Sequence, residues 1–219
     1  MVRLTASAAL LLAALACGPL LAADAPAPSG KYVPIFDGKT FEGWEGPLEA
    51  FRIEDGAVVG GSLQKRVPRN EFISTKKELG DFELRLKVKC VGKGANGGIQ
   101  IRSRRVPNSN EMSGYQSDLG EGYWGDLYDE SRRNKPLVKA KREEVAKILK
   151  ADDWNDYVIR CEGKRIQQWI NGFQTVDYTE ADEKIEPTGV IGLQIHGGPP
   201  TETWYKDVVI KELGAGLQK

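Results

Sequence analysis

The run FELRLKVKC, Phe82 to Cys90, constrains this chain more than any other segment. Phe82, Leu84, Leu86, Val88 and Cys90 alternate with Glu83, Arg85, Lys87 and Lys89. Successive side chains of an extended strand point to opposite faces, so the apolar five share one side and the charges the other. That pattern predicts a half-buried strand. Similar runs recur at 51–53, 57–60, 71–74, 98–102, 155–161, 167–170, 174–178, 189–196 and 205–213. Turn signals part them: Glu54-Asp55-Gly56, Gly92 to Gly94, Glu162-Gly163-Lys164 and Asn171-Gly172. Asn171-Gly172 between two apolar runs is a hairpin signal, because a two-residue turn needs positive φ. Only Lys139 to Lys150 is predicted helical, with Val145, Ile148 and Leu149 on one face. Many short strands and one helix predict an all-β, two-sheet antiparallel sandwich.

Length and charge narrow the function classes. At 219 residues the chain fits one domain, here 32–213, with 214–219 as a C-terminal tail. Lys plus Arg and Asp plus Glu each number 31, so no net field attracts a polyanion and no nucleic-acid partner is expected. One His and three Cys exclude a finger-type zinc site. Residues 1–23 combine a basic Arg3, an apolar run from Ala8 to Ala16 and small residues, the pattern of a secretory signal peptide. The run is too short for a transmembrane span. Export to the periplasm is expected, with a possible lipid anchor at Cys17, although Ala14 departs from the usual lipobox. Residues 24–31 read as a flexible lead-in. Cys90 and Cys161 both face apolar sides, which leaves a bridge and two buried thiols equally open.

Three strands carry polar pairs opposite apolar ones. Gln100 and Arg102 share a side in GGIQIR, Gln116 and Asp118 in GYQSD, and Gln194 and His196 in GLQIH. In one sheet, six such groups would line a surface suited to a polyhydroxylated ligand, since amides and carboxylates meet hydroxyls in fixed directions. A solvated sheet face shows the same alternation, as Phe82 to Cys90 does, but with Lys and Glu rather than Gln, Asp and His. His196 is the natural proton-transfer group, Asp118 would orient it or act beside it, and Arg102 would stabilise developing negative charge. A divalent cation held by Asp118 and His196 is conceivable, but two ligands make no signature and no cofactor is predicted. The segment 107–135 reads as a long irregular loop rich in aromatics, the kind that binds ligands. Within it Trp124 is a candidate sugar-stacking ring. Trp44 and Trp154 read as structural.

QSDLGE, residues 116–121, resembles the acid motif of sandwich-fold retaining glucanases with Gln116 in the nucleophile's place. An amide cannot form the glycosyl intermediate, which disfavours ordinary retaining hydrolysis.

FDGKTFEGW (36–44), GDFELRLKV (80–88), NGGIQIR (96–102), DWNDYVIRCEGKRIQQWING (153–172), GVIGLQIHGG (189–198) and YKDVVIKEL (205–213) together resemble the 3-keto-disaccharide hydrolase family over about residues 32–213. Where the commoner form has a Glu-x-Gln strand and a short turn, this chain has GYQSDLGEGYWGDLYDESRRN (114–134). The resemblance implies a concanavalin A-like jelly roll and a sugar or glycoside ligand. It also implies abstraction of the C2 proton beside a C3 ketone, loss of the C1 substituent, and water addition. In that scheme His196 or Asp118 takes the proton, Arg102 and Gln100 hold the enolate oxygen, and Tyr128 or Glu121 assists the leaving group. Gln116, Gln194 and Trp124 complete the substrate contacts. A non-catalytic carbohydrate-binding module and a cell-envelope interaction protein are the alternatives on the same fold.

Overall fold

The alternating runs pair into two antiparallel sheets, the jelly-roll sandwich expected. The computed structural model describes residues 23–214. The signal-peptide and Cys17 expectations, apart from Ala23, and tail residues 215–219 lie outside the described residues. In chain order the strands are β1 (Val33–Pro34), β2 (Trp44–Glu45), β3 (Phe51–Glu54), β4 (Ala57–Ser62), β5 (Glu71–Thr75), β6 (Phe82–Val91), β7 (Asn96–Arg105) and β8 (Met112–Gly120). They continue as β9 (Leu127–Glu130), β10 (Lys135–Val138), β11 (Asn155–Glu162), β12 (Arg165–Ile170), β13 (Phe173–Thr179), β14 (Val190–Ile195) and β15 (Thr201–Glu212). Helix α1 (Arg142–Ile148) lies within the expected 139–150. The first sheet runs β13-β12-β11-β6-β15-β4-β3, with β1 on β15, and the second runs β10-β9-β8-β7-β14-β5-β2.

The core lies between them. Leu84, Leu86 and Val88 of β6 and Tyr157 and Ile159 of β11 join Ile99 and Ile101 of β7 and Leu193 and Ile195 of β14 in one buried cluster. Each such side chain contributes about 1.5–3 kcal/mol by leaving water. The other face of β6 is partly wet, and Lys87 there pairs with Asp156 at 2.7 Å. Trp44 is core, its indole N–H donating to Ile35 O at 2.7 Å. Trp154 packs edge-on against Trp204, with centroids 6.4 Å apart. Residues 24–31 are laid against the first sheet: Ala25 N–H donates to Gly172 O, and the Arg85 guanidinium donates to Pro26 O. Among the described residues no helix is long and apolar enough to cross a membrane.

The register settles the cysteines. Cys161 stands opposite Phe82 and Asn155 opposite Val88. Cys90 therefore lies eight residues along β6 from Cys161's partner, roughly 27 Å of strand, far beyond the ~7 Å Cα separation that a disulfide tolerates. Both thiols are free and buried, and burial pushes each up to about 12.

Two expectations need correction. About half of the segment 107–135 is strand, in β8, β9 and the start of β10, rather than one long loop. Glycine-bearing turns and outward polar residues disguise its period. Arg102 does not share a face with Gln100. The β7–β8 register slips between Ile101 and Arg104, and Arg102 has φ 48°. A bulge breaks the two-residue period and re-aims the side chain. The Arg102 guanidinium donates instead to Gly80 O at 2.9 Å, Gly163 O at 2.6 Å and Asp81 Oδ1 at 2.8 Å. It staples the second sheet to the β11–β12 turn and to the entry of β6. Arg102→Met should therefore lower stability by about 3–5 kcal/mol, read from the urea midpoint; a midpoint like the wild type's would deny the staple.

Candidate functional site

β8 and β9 build the wall of a cavity of about 240 Å³ on the outer face of the second sheet. Tyr115, Ser117 and Leu119 turn inward, so Gln116 and Asp118 turn out. Tyr128 stands opposite Gln116 in the β8–β9 register, and Glu130 lies two residues further on the same side. All four line the cavity. Across it His196 follows the end of β14, and its backbone N–H donates to Asn96 O at 3.1 Å. Asn70, Asn96 and Tyr123 complete the lining. Asp118 pairs with Gly98, and Gly98 with Gln194. His196 and Asp118 are thus two strands and two residues apart, roughly 12 Å between Cα atoms, which leaves room for one sugar ring between their side chains.

A directed chain of hydrogen bonds orients Asp118. The Ser103 hydroxyl donates to Gln100 Oε1 at 2.6 Å, Gln100 Nε2 to Gln116 Oε1 at 2.6 Å, and Gln116 Nε2 to Asp118 Oδ1 at 2.9 Å. Oδ1 accepts, so a proton on this carboxyl sits on Oδ2. Gly98 makes the arrangement possible: a Cβ there would lie 2.4 Å from Gln116 Cδ. Burial, reinforced by the charges of Asp126 and Glu130, pushes Asp118 up to about 8 despite the Gln116 hydrogen bond. Burial beside Glu111 and Asp129 pushes Glu130 up to about 7. Burial likewise raises Tyr128 and Glu111. His196 Nδ1 lies 2.7 Å from Gly197 O. A carbonyl only accepts, so Nδ1 carries a proton and Nε2 of the neutral ring keeps its lone pair.

Of the nine residues singled out from the sequence, Gln116, Asp118, Tyr128 and His196 share the cavity. Gln100 lies behind Gln116, fully buried, as its positioning partner. Gln194 is fully buried on the same face, and neither amide atom makes a hydrogen bond. Arg102 is elsewhere, as described. Glu121 and Trp124 line a second cavity across the turn at 121–125. Glu130, Glu111, Asn70, Asn96 and Tyr123 escaped the sequence reading. Tyr128-x-Glu130 had the signal, the same two-residue spacing used elsewhere; Asn70 and Glu111 had none, since loop packing brings them in. Among the described residues no group of three or more His, Cys, Asp or Glu is arranged to hold a metal ion.

The profile of the 3-keto-alpha-glucoside-1,2-lyase-like domain matches residues 31–211. The chain belongs to that family. A search of curated proteins finds no match. Among solved structures, a candidate glycosyl hydrolase of Parabacteroides distasonis ATCC 8503 superposes with a TM-score of 0.63 at 19% identity, over 83% of this chain and 94% of that one. The carbohydrate-binding module CBM66 of Bacillus subtilis gives 0.58 at 14%, over 77% and 95%. SCLam, a non-specific endo-beta-1,3(4)-glucanase of family GH16, gives 0.57 at 10%, over 88% and 96%. These likenesses establish the fold. As a member of the lyase-like family, the chain has a glycosyl hydrolase-like, carbohydrate-related architecture.

The Asp118 shift has a stability consequence. Its folded value lies above the ordinary 3.8, so between about pH 4 and 8 the folded chain holds a proton that the unfolded chain has shed. Stability therefore falls as pH rises through that window. Asp118→Asn should remove this loss, raising Tm at pH 8.5 by at least about 2–4 °C and changing it little at pH 4. Scanning calorimetry at both pH values checks this; equal Tm values at pH 8.5 would mean the carboxyl is not desolvated.

Proposed function

We propose that this protein cleaves 3-keto-glycosides by C2 deprotonation and expulsion of the C1 substituent, with net hydrolysis after water addition. One observation carries the reading: the His196 ring, its Nδ1 engaged by Gly197 O, lines the same cavity as Asp118 and Glu130, whose carboxyls burial pushes up to about 8 and about 7. Such carboxyls serve as acids, not nucleophiles, which suits an elimination better than a two-carboxylate displacement.

His196 Nε2 takes the C2 proton, made acidic by the C3 ketone, and the electron pair moves onto the C3 oxygen as an enolate. Asn96 and the second amide N–H of Gln116 are the donors placed to hold that oxygen, the role first expected of Arg102 and Gln100. The enolate then reforms the ketone, C1 and C2 become doubly bonded, and the C1–O pair leaves with the aglycone. Asp118 Oδ2 gives that oxygen its proton. Water adding at C1 yields the free 3-keto sugar. Gln194, fully buried and outside the lining of the cavity, does not make the substrate contact expected of it. The signal-like start supports a periplasmic or secreted setting for this chemistry.

Purified protein supplied with 3-keto-glucosides and with unoxidised glucosides should release aglycone from the keto forms alone. His196→Ala should lower kcat/KM at least ~100-fold, and the rate should decline above about pH 8 as Asp118 loses its proton. Equal release from both substrate sets, or an intact rate in His196→Ala, defeats the proposal; binding without turnover would select the carbohydrate-binding module.

A further inference from the structure

A second cavity, of about 360 Å³, opens between α1 and the ends of β6 and β7. The turn at 121–125 is the wall between it and the first. Tyr123 lines the catalytic cavity and is half exposed, while its neighbours Gly122 and Trp124 line the second. The start of β7 is shared in the same way, Asn96 on one side and Ala95 on the other. Resting on the elimination reading, we infer that this cavity receives the aglycone, and that the natural leaving group is an apolar, ring-bearing alcohol or phenol.

Direction is the first argument. Asp118 stands at the root of the wall: its N–H donates to Asp126 O at 3.0 Å, and Gly125 N–H donates to Asp118 O at 3.1 Å. A glycosidic oxygen protonated by Asp118 leaves beside the turn that also bears Trp124. The lining is the second. Val145 and Ala146 of α1 and Leu149 just after it line the cavity with Ala95 and the Trp124 indole, and that indole is held by Tyr157 with centroids 6.3 Å apart. The guanidinium nearby, Arg142, is engaged by both oxygens of Asp126, at 2.7 and 2.5 Å. The two carboxylates of the lining, Glu121 and Asp152, are exposed at its rim, so hydroxyls of a second sugar would find few partners between α1 and Trp124, where an unpaired buried polar group is costly; an aromatic ring against Trp124 loses nothing. A sugar leaving group would instead suit the polar cleft of about 640 Å³ between Arg69, Arg105 and Asn108.

The test compares 2-phenylethyl and ethyl 3-keto-glucosides, whose alcohols leave with similar ease, with a 3-keto-disaccharide as the third substrate. The phenylethyl compound should exceed the ethyl one in kcat/KM by about ten-fold, mainly through KM. Ala146 is exposed on α1, and Ala146→Trp, or the milder Ala146→Leu, should collapse that preference to within about two-fold. No preference, a preference that survives both substitutions, or a disaccharide preferred over the phenylethyl compound overturns the assignment. If no glycoside is cleaved, the elimination reading falls and the cavity is judged alone by titrating 15N-labelled protein with 2-phenylethanol. Shifts at the Trp124 indole and the Ala146 and Leu149 amides, lost in Ala146→Trp, sustain an apolar-alcohol site; their absence ends it.

Discussion

Burial of the polar face of the second sheet is the constraint on which the site depends. β6 behaves as a sheet with one wet side, its charged positions partly exposed. β7, β8 and β14 are buried almost without interruption on both faces. Their inward residues fill the sandwich core, and their outward residues, Gln100, Gln116, Asp118 and Gln194 among them, are buried as well. A carboxyl on such a face loses hydration without gaining a cation. Asp118 and Glu130 consequently hold protons in a pH range where surface carboxylates have none.

The amide chain from Ser103 through Gln100 and Gln116 to Asp118 adds direction to that desolvation. Each member donates toward the next, so the carboxamide dipoles point one way and leave Oδ2 free. A row of glutamines on a strand looks inert by composition; here it serves as a rigid mount. Gly98 matters for the same reason, because a side chain at that position would displace Gln116. The site therefore rests on close packing as much as on titratable groups, and the proposed acid and base are held by strands and strand ends rather than by mobile loops.

The cavity beside Trp124 shares this logic. Asp126 accepts from Arg142 on one side, while its backbone carbonyl accepts from Asp118 on the other. One short turn thus connects the proposed acid to the wall of the second cavity through a few fixed hydrogen bonds. The five Trp residues divide accordingly: Trp44 and Trp169 pack as structure, Trp154 and Trp204 cover the first sheet beneath Lys89, and Trp124 lines the second cavity.

Two-residue alternation by itself determined most of the longer strands, their inward faces and the side-sharing of Gln116 with Asp118, because the pleat is regular through those segments. Turn chemistry marked Asn171-Gly172, and the helical period of 139–150 marked α1, the one α-helix among the described residues. Where the period broke, the sequence misled: the bulge at Ile101–Arg104 sent Arg102 to Asp81, and glycine turns hid β8 and β9 inside an apparent loop. The tertiary structure alone decided that Cys90 and Cys161 lie at opposite ends of a strand pair. It alone brought Asn70, Glu111 and Glu130 to His196 and parted Trp124 from the first cavity by one turn. These are matters of which strands neighbour one another and which loops fold over them. They depend on contacts between residues far apart in the chain, which no local period records.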